Sequence, residues 1–105
     1  MNNVHECTAV IKDPKTSKRD RIKAFFLRGH YRASSSCPRH KKAVEDYTRA
    51  INLGPCDSVR EDLLNNRGFS RTLAGDFAGA QKDFRGVLRL AKKMGEQEPI
   101  TGEKE

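Results

Sequence analysis

Ala43-Val44-Glu45-Asp46-Tyr47-Thr48-Arg49-Ala50-Ile51 carries the clearest helical signal in the chain. Its small and apolar residues, Ala43, Val44, Tyr47, Ala50 and Ile51, recur at steps of one, three, three and one, which lines them along one side of an α-helix. The same order returns downstream. Ala80, Asp83, Phe84 and Val87 stand 37 residues after Ala43, Asp46, Tyr47 and Ala50, and Arg28-Gly29 upstream of the first copy is matched by Arg67-Gly68 upstream of the second. A period of this size is that of helical-hairpin repeats. Small residues let two helix axes approach, and an aromatic four residues after the alanine fills the space between neighbouring hairpins.

Working outward, prolines and glycines divide the rest of the chain. Pro14 after Asp13 and Pro55 after Gly54 end helices, since proline lacks the N–H and clashes with the preceding turn. Between them the pattern predicts one helix from about Ser17 to Ala33, begun by a capping box of Ser17 and Asp20 and carrying Ile22, Phe25, Phe26 and Gly29 on one side. A turn at Ser34-Ser35-Ser36-Cys37 follows, and then a helix to about Leu53 with Pro38 at its first position. A third helix is expected from Ser58, with Ser58 and Glu61 as its capping box and Leu63, Leu64 and Leu73 as anchors. Ala74-Gly75-Asp76 forms the next turn. Asp76 then caps a helix with the stripe Phe77, Ala80, Phe84, Val87, Leu88 and Ala91. Residues 3–11 allow a short helix before Pro14. The polar segment from Gly95 onward, with Ile100 as its only large apolar side chain, reads as frayed.

These features resemble the tetratricopeptide-repeat (TPR) family. Gly68, Ala80 and Phe84 meet the family's spacing, with Val87 in place of its last alanine and Lys92 in place of its exit proline. Ala43, Tyr47, Ala50 and Pro55 meet it in the first copy. There Gly29 lies fourteen rather than twelve residues before the alanine, so the Ser34–Pro38 turn carries a two-residue insertion. Ala9 to Pro14 looks like the end of a preceding second helix. The resemblance implies an all-α stack of antiparallel hairpins, a TPR-like superhelix: a short N-terminal helix or half-repeat over 1–14, repeats over 17–55 and 57–93, and a flexible acidic tail over 94–105. It further implies a protein–protein interaction module, an adaptor or scaffold, whose first helices line a concave groove for a peptide or helix of a partner. By register the groove comprises Lys23, Phe26 and His30 from one repeat and Asp62, Asn65, Phe69 and Thr72 from the other, with Asn66 beside Asn65 able to hydrogen-bond an extended backbone. The residue set with which the family clamps chaperone tails is not reproduced. Two repeats bury little on their own, so the apolar side of the last helix is expected to be covered by a partner or by a second copy in a homodimer.

Composition bounds the function. The net charge of +7 is uneven: residues 12–93 hold 20 Lys or Arg against 9 Asp or Glu, whereas the segment after Lys93 sums to −3. A basic body favours an acidic partner and leaves a nucleic-acid-associated role as the alternative function. The basic run Lys12, Lys15, Lys18, Arg19, Arg21 and Lys23 has no interleaved aromatics for base stacking, which makes a solvated face the simpler reading. Three cysteines without a pairing pattern, no signal-peptide pattern at the N-terminus and no long apolar run point to a cytoplasmic protein that does not enter the membrane. Cys37 and His40, or His5 and Cys7, have half-site spacing for zinc, but tetrahedral zinc needs four converging ligands, so no metal is expected. No nucleophile–base signature or phosphate loop occurs, and neither enzymatic activity nor a cofactor is expected.

Overall fold

The computed structural model describes residues 3–97, and every regular element in that span is an α-helix: α1 (Asn3–Lys12), α2 (Lys18–Ser34), α3 (His40–Asn52), α4 (Asp57–Leu73) and α5 (Phe77–Gln97). The Ser17 hydroxyl accepts the Asp20 N–H at 3.1 Å and begins α2, as its capping pattern predicts. The Asp76 carboxylate does the same for α5, accepting the Gly79 N–H at 2.9 Å. Gly54 and Gly75 leave α3 and α4 through positive φ of 80° and 90°, which residues with a Cβ adopt only with strain. After α1 the Arg21 guanidinium gathers the Ile11 carbonyl of the last helical turn and the Asp13 and Thr16 carbonyls of the following loop, tying α1 to α2.

Each helix packs chiefly on its neighbours in the chain; α2 and α4 touch at only a few residues. The described residues accordingly form an elongated body of 52 × 35 × 22 Å. Its core lies where α2, α3 and α4 meet. Ile22, Phe25, Ala43, Tyr47, Ala50 and Leu63 are buried together, with Ile11, Phe26, Ala33, Ile51, Leu53 and Val59 packed around them. Among the described residues, the one hydrophobic side chain that α5 buries fully is Ala80.

Several local expectations are corrected. Pro38 is not the first residue of α3. Arg39 occupies the cap, because its N–H is used across the turn on the Arg32 carbonyl (2.8 Å) and its own carbonyl takes the first helical bond, from Ala43. Likewise α4 begins before Ser58. Cys56 is its cap residue and its carbonyl accepts from Arg60, so Ser58 lies inside the first turn and forms no capping box. Leu73 is no anchor; it is 53 % exposed at the C-terminal end of α4. On α5 the expected stripe divides: Ala80 is buried and Val87 half-buried, whereas Phe77, Phe84, Leu88 and Ala91 are exposed. Helix α5 continues through Gly95 to Gln97, beyond the expected fraying point, and the rest of the acidic tail lies outside the described residues. Among the described residues no helix is long and apolar enough to cross a membrane.

Candidate interaction surfaces

The repeated residues build the same cluster twice. Asp46, 1 % exposed, accepts from Arg28 Nε and Nη2 (3.1 and 2.8 Å) and from Arg32 Nη1 (3.0 Å). Asp83, 3 % exposed, accepts from Arg67 Nε and Nη2 (3.0 and 2.8 Å) and from Arg71 Nη1 (3.0 Å). Planar guanidinium forks supply the donors that a buried carboxylate requires. Each first arginine also reaches back one helix: Arg28 Nη1 donates to Thr8 Oγ1 (2.9 Å) and Arg67 Nη1 to Thr48 Oγ1 (3.1 Å). Helix α1 therefore stands to α2 as α3 stands to α4.

Beside each cluster an aromatic ring covers a glycine. A Cβ on Gly29 would come within 2.7 Å of Tyr47 Cε1, and one on Gly68 within 2.9 Å of Phe84 Cε1. The turns agree as well. Arg39 N–H bonds to the Arg32 carbonyl, and Asp76 N–H to the Arg71 carbonyl, both at 2.8 Å. The first bond spans seven residues and the second five, which locates the two-residue insertion in the Ser34–Pro38 turn. The copies differ in enclosure. Tyr47 is 1 % exposed, with Phe26 against it edge-on at 6.1 Å between centroids, whereas Phe84 is 37 % exposed. Burial, aided by the neighbouring Asp46 charge, raises the Tyr47 phenol to about 12.

A cleft of about 520 Å³ opens between the N-terminal halves of α2 and α4. Ile22, Phe26, Pro55 and Val59 form its apolar lining, and Lys18, Arg19 and Lys23 supply its cations. Two expected groove residues, Lys23 and Phe26, therefore fall in one cavity. His30, Asp62, Asn65 and Phe69 are exposed and line none of the clefts described here, and Phe69 is 61 % exposed. Asn66 donates to the Asp62 carbonyl (2.8 Å) of its own helix, so this donor is already occupied. Thr72 donates to the Gly68 carbonyl (2.9 Å) and belongs to a different crevice, with Phe77 and Phe84. The cleft also takes in Lys18, Arg19, Ile22, Gly54, Pro55, Cys56 and Val59, which the expected groove did not include. Lys18 and Ile22 precede Phe26 at steps of four on one helical face, a signal that was present, whereas Pro55 and Val59 join only through the turn after α3.

Cys56 lies at the rim of this cleft, exposed, at the start of α4. The Ser58 hydroxyl (3.5 Å) and the Val59 N–H lower its thiol below the usual range. Cys7 is the opposite case: burial between α1 and α2 raises its thiol, against the opposing pull of Arg28. Among the described residues, no three His, Cys, Asp or Glu side chains come together in a way that could hold a metal ion. Comparison with protein-family models, curated proteins and solved structures finds no match for this chain.

Proposed function

We propose that this chain is a non-enzymatic interaction module, a TPR-like stack of helical hairpins, and that the α2–α4 cleft receives an acidic segment of a partner protein with apolar side chains. The observation that carries this reading is the pairing in one cleft of an apolar lining (Ile22, Phe26, Pro55, Val59) with three cations (Lys18, Arg19, Lys23). An extended or helical segment seated there would bury leucine-sized side chains against Phe26 and Val59 while its carboxylates meet the lysines. The duplicated Arg–Asp clusters and glycine–aromatic contacts support the repeat reading, because two copies of one packing solution arise most simply from a repeated unit.

The test is selection of a displayed random peptide library on the full chain, followed by affinity measurement on variants. Selected peptides are expected to be acidic and apolar, and Lys23→Glu, an exposed change, is expected to weaken them about tenfold or more at low salt. Asn65→Ala and Phe69→Asp report whether the contact extends along α4. Unchanged affinity in Lys23→Glu and Arg19→Glu would remove the cleft from the proposal.

A second cleft, of about 590 Å³ between α4 and α5, is lined by Arg60, Arg89, Lys92 and Lys93 together with Glu96 and favours the nucleic-acid alternative. It offers no aromatic platform, and Lys93 is already paired with Asp57 at 3.1 Å. Duplex binding at low salt that vanishes at moderate salt, and that depends on Arg60 and Arg89, would support this second reading.

A further inference from the structure

The open side of α5 carries exposed apolar side chains that do not line the α2–α4 cleft. Phe77, Phe84 and Leu88 are 68 %, 37 % and 70 % exposed and fall on one side of the helix. A row of large apolar side chains left in water marks a contact site more often than chance placement does. The repeat shows what kind of object covers such a row. Tyr47 and Ile51 of α3 correspond to Phe84 and Leu88 of α5; among the described residues α3 has helices on two sides, α2 and α4, whereas α5 packs on α4 alone. By that correspondence the shape that fits the open side of α5 is a helix, laid on α5 as α4 is laid on α3.

Charge decides which helix. Where α3 meets α4, Thr48 accepts from Arg67. The residue in the place of Thr48 on α5 is Arg85, with Lys92 seven residues later on the same edge. Both are exposed, and neither forms an ion pair among the described residues. A second copy of this chain cannot lay α2 or α4 there, because α1 and α3 of its own chain already cover the faces that carry Arg28 and Arg67, and a two-fold pairing of α5 with α5 would bring the exposed cations Arg85 and Lys92 of the two copies to one apolar contact. The segment after Gln97 is acidic, but it brings one large apolar side chain, Ile100, to a row of three. We infer that α5 docks an amphipathic helix of a partner protein, with apolar residues over Phe77, Phe84 and Leu88 and a carboxylate opposite Arg85.

A displayed library of helical peptides with a fixed leucine stripe and randomised flanks, selected on the full chain and counter-selected on Leu88→Glu, tests this. The expected outcome is enrichment of Asp and Glu beside the stripe. A selected peptide should shift the backbone amide signals of Phe77, Phe84 and Leu88, bind Arg85→Glu about tenfold more weakly, and recover when its acidic residue is changed to lysine. Because Arg85 and Leu88 are exposed, both variants should fold as the parent does, by melting temperature. Neutral or basic flanks, or shifts confined to the α2–α4 cleft, overturn the inference. So do a dimer at high micromolar concentration that Leu88→Glu dissociates, which would make a second copy the occupant, and close contacts between Ile100 and Phe84 in solution, which would make it the chain's own tail.

Discussion

Replacing Gly29 and, separately, Gly68 by alanine makes one chemical change at two equivalent places whose surroundings differ. In both helices alanine is favoured over glycine by about 0.8–1 kcal/mol, because the unfolded chain loses freedom. In both, the new methyl meets a ring at 2.7 Å (Gly29) or 2.9 Å (Gly68), roughly 1 Å inside ordinary carbon–carbon contact. The Tyr47 ring cannot retreat, since it is 1 % exposed and the edge-on Phe26 closes its surroundings. Overpacking of this kind costs about 1–3 kcal/mol, so Gly29→Ala should be destabilising by up to about 2 kcal/mol after the helix gain is counted. Phe84 is 37 % exposed and can swing toward the open side of α5. Gly68→Ala should therefore lie between neutral and about 1 kcal/mol more stable. The difference of about 2 kcal/mol corresponds to roughly 8–16 °C in melting temperature for a domain of this size. Urea titration followed by circular dichroism at 222 nm measures both variants against the parent. Equal effects within about 0.5 kcal/mol would refute the reasoning, because they would mean that Phe84 is as confined in solution as Tyr47.

Four further outcomes rest on the same geometry. Asp46→Ala leaves Arg28 and Arg32 without their common buried acceptor and should cost about 3–5 kcal/mol by chemical denaturation, with little salt dependence; a loss below about 1 kcal/mol would show that water screens the cluster. Arg39 caps α3 without a side-chain bond, where Asp76 caps α5 with one, so Arg39→Asp should stabilise the chain by about 1 kcal/mol, read as a rise in melting temperature. Iodoacetamide at neutral pH should label Cys56 well before Cys7: the lowered thiol is ionised to a greater extent at that pH and is exposed, whereas the raised one is protonated and buried. Ser58→Ala should slow Cys56 labelling, and mass spectrometry of the labelled peptides follows both rates.

The all-helical class and the order of elements were legible because helical periodicity and helix breakers are local properties. Ala43 to Ile51 displays its buried side within nine residues, and Ser17, Asp76, Gly54 and Gly75 mark ends through bonds or dihedrals that need no distant partner. The two-residue offset between the copies was likewise countable in the chain, and the paired turn bonds of Arg39 and Asp76 locate it. Cap identity was less legible where two candidates lay close together, as at Cys56 and Ser58, because the choice depends on how the chain leaves Gly54-Pro55.

Which side chains of a helical stripe acquire a neighbour depends on the packing of the whole chain. Tyr47 and Phe84 stand in equivalent places on similar helices, yet one is enclosed and the other open, because among the described residues α3 has helices on two sides and α5 on one. The candidate site divides for the same reason. Lys23 and Phe26 acquire Val59 and Pro55 as cleft partners through the chain reversal after α3, while Thr72 goes to the crevice beside Phe84. Periodicity specifies a direction around a helix axis; burial depends on what the rest of the chain places in that direction.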